Sequence, residues 1–107
     1  MKIRYTSAYR KDRKLCKKRH YDVKFLDEII AIYAENNGFN QEQAKNYYDH
    51  PLSGKWKDHR SFHPHGHDDD WIVIYHIDPD TVVIDATMVL DRTGTHTDIY
   101  GHASEMY

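Results

Sequence analysis

Apolar positions recur at helical spacing in the first half of the chain and alternate in the second. Lys2 to Thr6 reads as a short opening strand. Ser7 can then N-cap a helix running to about His20, with Ala8, Tyr9, Leu15 and Cys16 on an apolar side and Arg10, Lys14 and Lys17 on a cationic one. Asp22 is placed to cap a second helix, in which Val23, Leu26, Ile29, Ile30 and Tyr33 keep the helical period, and Asn36-Asn37-Gly38 supplies its stop. Gln41 to Tyr48 predicts one further short helix, with Ala44, Tyr47 and Tyr48 available for packing. A loop through His50-Pro51-Leu52-Ser53-Gly54 follows it.

Lys57 to His63 predicts a strand, after which Trp71, Val73, Tyr75 and Ile77 face one way while Ile72, Ile74 and His76 face the other. Thr81 to Leu90 repeats the alternation through Val82, Ile84, Ala86, Met88 and Leu90, and Asp78-Pro79-Asp80 is the expected turn of an antiparallel hairpin. Helices first and strands afterward predict an α+β fold in one domain over residues 1–107, its N-terminal helices packed on a four- to five-stranded, mainly antiparallel sheet.

A chain of 107 residues, 39% hydrophobic and 30% charged with three Pro and five Gly, has the composition of a folded globular domain rather than a disordered or collagenous one. No apolar run approaches membrane-spanning length, and Met1-Lys2-Ile3-Arg4-Tyr5 lacks a signal-peptide core, so a cytoplasmic protein without membrane contact is expected. The single Cys16 can form no internal disulfide. The net charge of -2 hides a division, because residues 1–20 carry nine Lys and Arg against one acid, Asp12, and the remainder six against sixteen. That basic end is a candidate surface for a polyanion, its bland alternative being a solvated helix face.

Nine histidines are the chemical signal, and His50, His59, His63, His65, His67, His76 and His96 fall in the second half with the strands. Imidazole titrates near neutrality and can take or give a proton at physiological pH. RNA cleavage by its own 2'-hydroxyl needs a base at that oxygen, an acid at the leaving 5'-oxygen and a cation at the charged phosphorane. His, Asp or Glu, and Arg supply all three without a metal.

Three stretches carry a resemblance: Asp49-His50-Pro51-Leu52-x-Gly54-x-Trp56-Lys57, Asp70-Trp71-Ile72-x-Ile74-Tyr75, and Arg92-Thr93-Gly94-Thr95-His96-x-Asp98-x-Tyr100-Gly101. Together with Tyr5-x-x-x-Tyr9-x-Lys11-Asp12-x-Lys14 and Lys18-Arg19-His20-x-Asp22, their order and spacing resemble the YafQ-like branch of the RelE/ParE superfamily, the toxins of type II toxin-antitoxin modules. The resemblance implies a RelE-like, microbial-ribonuclease-like fold and metal-independent cleavage of mRNA on the ribosome, with no cofactor. It also implies inhibition by a DinJ-like ribbon-helix-helix antitoxin, with operator DNA bound only through the antitoxin complex.

Carried over position by position, the family's functional set falls on His50, His63, Asp70, Trp71, Arg92, His96 and Tyr100. His96, after a Thr93-Gly94-Thr95 turn, is the expected principal proton-transfer residue. Arg92 is expected to hold the scissile phosphate, Asp70 to orient a histidine or accept the 2'-hydroxyl proton, and His50 to be a second proton carrier or phosphate contact. Tyr100 is a candidate base-stacking surface. Trp71 is the least chemical of the set, with sheet support as its competing role. Arg10, Lys14 and Lys17 complete the substrate-side candidates, facing ribosome, RNA or antitoxin.

The segment Ser61-Phe62-His63-Pro64-His65-Gly66-His67-Asp68-Asp69 is about three residues longer than the resemblance leads one to expect. Counting from Arg60 selects His63 and counting back from Asp70 favours His67; His63 is preferred, on the same strand face as His59 and Ser61, with Pro64 and Gly66 forming a mobile hairpin tip. Two rival readings stay open. His63, His65 and His67 could converge on zinc, nickel or copper, and a ParE-like relative would share the fold but bind DNA gyrase instead of cutting RNA.

Overall fold

The computed structural model describes residues 1–35, 41–80 and 85–101. Strand β1 (Lys2–Tyr5) leads into α1 (Ser7–Lys18), α2 (Val23–Glu35) and α3 (Gln41–Tyr47), then β2 (His50–Pro51), β3 (Arg60–Phe62), β4 (Trp71–Asp80), β5 (Asp85–Thr95) and α4 (His96–Tyr100). The five strands form one sheet in the order β1-β5-β4-β3-β2, parallel only between β1 and β5. This is the α+β, mainly antiparallel architecture that the change of hydrophobic period predicts.

Local chemistry accounts for the helix starts. Thr6 rather than Ser7 caps α1, its hydroxyl accepting from the Tyr9 N–H at 3.0 Å, and Asp22 caps α2 by accepting from the Phe25 N–H at 3.0 Å. In α2 every expected core position, Val23, Leu26, Ile29, Ile30 and Tyr33, is buried, the last four in one cluster with the sheet residues Phe62, Trp71, Val73, Tyr75, Met88 and Leu90. In α1 only Tyr9 and Cys16 of the apolar side are buried. Ala8 and Leu15 stay exposed. The inward stripe is completed instead by two charged residues with ionic partners, Asp12 bound to Arg92 and Arg13 bound to Asp27 across to α2.

Other boundaries differ from the sequence reading for identifiable reasons. His50–Pro51 is a short strand rather than loop, because Pro51 occupies the outer strand, where its missing N–H costs no ladder bond. The strand expected from Lys57 begins only at Arg60. Asp78-Pro79-Asp80 remains in β4, pairing as far as Asp80 with Asp85. Thr93-Gly94-Thr95 is likewise strand, not turn, and pairs with Trp71 to Val73. The expected Asn36-Asn37-Gly38 stop and the Thr81 to Ile84 start of the last strand lie outside the described residues. Between Tyr75–Leu90 and Ile74–Arg92 the register shifts, leaving Asp91 as the extra residue of a β-bulge.

Candidate active site

His50, His63 and His96 come from three different elements and meet at one end of the sheet. His50 opens β2, His63 follows β3 and His96 opens α4. Ring centroids of His50 and His63 lie 5.9 Å apart and those of His63 and His96 5.7 Å apart, so the three imidazoles form one contiguous cluster. Antiparallel pairing of His50 with Ser61 brings β2 alongside β3 and thereby sets the first of these distances.

Asp70 approaches His96 with its Oδ1 2.5 Å from Nδ1 and 3.3 Å from the His96 backbone N–H. A carboxylate accepts, so Nδ1 carries the proton and the basic lone pair of the ring lies on Nε2. Position is enforced from below as well. Thr95 caps α4 in a reciprocal capping box with Asp98, and Arg19, the residue after α1, reaches the same carboxylate at 2.7 Å. Burial works to raise the Asp98 pKa, but the hydrogen bonds from Thr95 and Arg19 prevail and hold it below the ordinary carboxylate value. Gly94 fits here because a Cβ would lie 3.1 Å from the Asp98 Oδ2. Tyr100 stacks on His96 at 6.1 Å.

His63 is 3% exposed, and its Nδ1 is buried with no hydrogen-bond partner. Burial, then the neighbouring His50 and His96, push its pKa down to about 4, against a hydrogen bond with the Tyr48 backbone. His63 is therefore neutral at physiological pH. His67 stands apart, its side chain 65% exposed and close to Asp68, so it is His63 that joins the cluster. His63 and His59 also part company, because His59 turns to Asp91 and His76.

Arg92 donates from Nε and Nη2 to Asp12 at 2.6 and 3.2 Å, which leaves three of its five donors for other partners. Trp71 presents no surface to a substrate. It is 1% exposed, and its indole N–H donates to Thr93 Oγ1, which in turn donates to the Ile72 carbonyl. Arg10, Lys14 and Lys17 are exposed on α1 and are not paired with the histidine cluster, although Asp12 ties their helix to Arg92. The His63-x-His65-x-His67 run does not converge. His65 stacks on Phe25 and approaches Asp69 at 3.3 Å, which also fastens the expected mobile tip to α2, while His67 packs edge-on against Tyr48. Among the described residues, three potential metal ligands come together only at His59, His76 and Asp91.

Residues 1–101 match the family described as "Bacterial toxin of type II toxin-antitoxin system, YafQ". The chain belongs to the YafQ toxin family. It is 35% identical over 99 residues to the mRNA interferase toxin YafQ of Escherichia coli strain K12, covering 92% of this chain and 95% of that one. The crystal structure of YafQ from E. coli strain BL21(DE3) superposes with a TM-score of 0.72 at 33% identity, covering 92% and 97% of the two chains. YafQ in the E. coli DinJ-YafQ toxin-antitoxin complex gives 0.70 at 35% identity, covering 92% and 96%.

Three residues of this YafQ-family chain contribute to the site without having been assigned a role from sequence. Asp49, its side chain fully buried, accepts from Tyr33 Oη at 2.6 Å, Tyr75 Oη at 2.5 Å and Arg60 Nε at 2.6 Å, fixing the backbone that carries His50. Burial, then Asp49, raise both tyrosine pKa values far above ordinary phenol, so these hydroxyls remain donors. Asp12 orients Arg92 and also accepts from the Thr93 N–H at 3.1 Å. Both acids lie inside the family motifs, which was the available signal. Tyr48, expected to pack, is 45% exposed with φ of 50° and stands edge-on to His63 and His67.

Proposed function

We propose that the chain cleaves mRNA on the ribosome by metal-independent acid-base catalysis at the His50–His63–His96 cluster. As a YafQ-family toxin it is an mRNA interferase, an endoribonuclease of a type II toxin-antitoxin system. The observation that carries the mechanism is a pair of imidazoles with tethered Nδ1 atoms, His96 on the Asp70 carboxylate and His50 on the Pro51 carbonyl, both neighbouring the buried, neutral ring of His63. The Asp70 carboxylate orients the His96 ring, which suits His96 to protonate the leaving 5'-oxygen. His50, whose Nδ1–H donates to the Pro51 carbonyl at 3.2 Å, carries its basic lone pair on Nε2, which suits it to receive the 2'-hydroxyl proton. The 2'-oxygen then bonds to phosphorus as the 5'-oxygen leaves, giving a 2',3'-cyclic phosphate and a 5'-hydroxyl end.

Arg92, with donors to spare beyond Asp12, stabilises the phosphorane charge. Tyr48 and Tyr100 offer faces on which splayed bases stack. The partner of this toxin is a DinJ-like antitoxin, as in the E. coli complex. Primer extension on a defined mRNA in a purified translation system tests the reading. Cleavage that requires ribosomes, survives chelator and vanishes in His96→Ala is the expected result. Intact mRNA with folded wild type would overturn it and point to a non-nuclease toxin.

A further inference from the structure

Away from the histidine cluster, three side chains that the proposed reaction does not use converge on one point. His59 lies immediately before β3, His76 projects from β4, and Asp91 is the extra residue of the β5 bulge. Asp91 Oδ2 accepts from His76 Nδ1 at 2.7 Å, through a proton that a metal ion would displace, and stands 3.7 Å from His59 Nε2, and one ligand atom from each residue falls within 4.8 Å of the others. The side chains are 25%, 28% and 13% exposed for His59, His76 and Asp91, buried enough to be held and open enough for an ion to enter.

The orientation of His59 is the telling feature. Its Nδ1 lies 3.0 Å from the Lys57 carbonyl, and because a carbonyl only accepts, that nitrogen carries the ring proton. In the neutral ring, Nε2 therefore turns a lone pair toward a carboxylate oxygen, so that two acceptors face each other and a cation between them satisfies both. A carbonyl on the far nitrogen is also the usual outer support of a metal-bound imidazole. Trp56 packs edge-on against His59 at 5.2 Å, and the His76 ring does the same at 4.8 Å, which restricts His59 further.

We propose that His59, His76 and Asp91 form a zinc-class metal site, separate from the nuclease centre, with its remaining coordination positions open to water. Two imidazole nitrogens and one carboxylate suit Zn2+, Co2+, Ni2+ or Cu2+, whereas Mg2+ and Ca2+ take oxygen ligands. Tetrahedral ligands about 2.0–2.1 Å from zinc stand about 3.3 Å apart. The two spacings to Asp91, 2.7 and 3.7 Å, lie on either side of that value, so small side-chain rotations suffice. A bound ion would join the approach to β3, the middle of β4 and the β5 bulge, bracing the segment from which Arg92 follows Asp91 directly.

Calorimetric titration of the full, tag-free chain with zinc chloride at neutral pH tests this. One saturable site is expected, weakened at least tenfold in His59→Gln/His76→Gln and in Asp91→Asn, and unchanged in His65→Gln/His67→Gln. Thermal midpoints with and without zinc should rise in wild type and not in the first two variants. No saturable binding, equal affinity in His59→Gln/His76→Gln, or loss in His65→Gln/His67→Gln would each overturn the site. Paramagnetic broadening by Ni2+ on wild-type amide signals needs no variant and must centre on residues 59, 76 and 91; broadening centred on His63 and His96 refutes it.

Discussion

Around the sheet that carries the candidate site residues, charge is paired and geometrically fixed: Asp70 on His96, Asp12 on Arg92, Asp49 on Arg60 and two tyrosines. On the outer face of α1, Arg10, Lys14 and Lys17 are exposed, and among the described residues no ion pair holds them. Proton transfer requires atoms placed to within fractions of an ångström, and the first region spends acidic side chains on that placement. Attraction of a polyanion requires only a field, and the second leaves its cations to solvent. Substitutions should accordingly act on rate and folding in one region, and on salt-dependent binding in the other.

The largest separation of the two regions is expected from His96→Ala. Loss of the principal proton carrier should lower the cleavage rate about 10²–10⁴-fold, with little change in thermal midpoint, since the imidazole is half-buried at the start of α4. Single-turnover primer extension checks the rate and calorimetry the fold. Asp70→Asn, which keeps the contact and removes the charge, should give a smaller rate loss. A rate close to wild type in His96→Ala would move the chemistry to His50 and His63.

Next comes Asp49→Ala, which leaves the Arg60 guanidinium and two buried hydroxyls without their shared acceptor. Removal of one partner from such a buried network costs about 3–5 kcal/mol, a large part of a small domain's stability. Urea unfolding should show it, together with a large drop in cleavage. An unchanged midpoint would mean that His50 is held by something other than this carboxylate.

How much of this was legible in the sequence follows the range of each interaction. The α2 core and the alternation of β4 are short-range patterns, and Val23, Leu26, Ile29, Ile30, Tyr33, Trp71, Val73 and Tyr75 are buried as their spacing predicts. The motifs also named the histidines that meet. Asp12 and Arg92 meet across 80 sequence positions, and Tyr75 reaches Asp49 across 26, so no local window signals that these acids organise the site. The β5 bulge at Asp91 depends on register, which alternation alone does not fix. Trp71 illustrates the limit of carrying roles by motif: its place in the motif matches, while its burial and its bond to Thr93 make it a sheet residue.

A third way to sharpen the contrast is pH. His63 has its pKa pushed down to about 4 from an ordinary 6.5, so between those values the unfolded chain binds a proton that the folded chain does not. Its contribution to stability is complete above pH about 6.5 and falls away as pH drops toward 4, by up to about 3 kcal/mol. His63→Gln should flatten that part of the stability-pH curve relative to wild type. Parallel curves would show that His63 is solvated and that its neutrality does not come from burial.

The smallest effect on the folded protein, and the one that isolates the second region, is expected from Arg10→Gln/Lys14→Gln/Lys17→Gln. All three side chains are exposed, so the thermal midpoint should match wild type. Binding to RNA-rich ribosomes should weaken and become less sensitive to salt, because each phosphate that a cation no longer neutralises takes about 0.7 off the slope of log affinity against log salt on single strands. Neutralising all three side chains together lowers the slope by about 2. Cleavage of saturating substrate should be preserved, since no proton-transferring group is touched. Equal salt slopes for variant and wild type, with equal affinity for an acidic antitoxin, would reduce this face to a solvated helix surface and leave substrate attraction to Arg92 and the histidines alone.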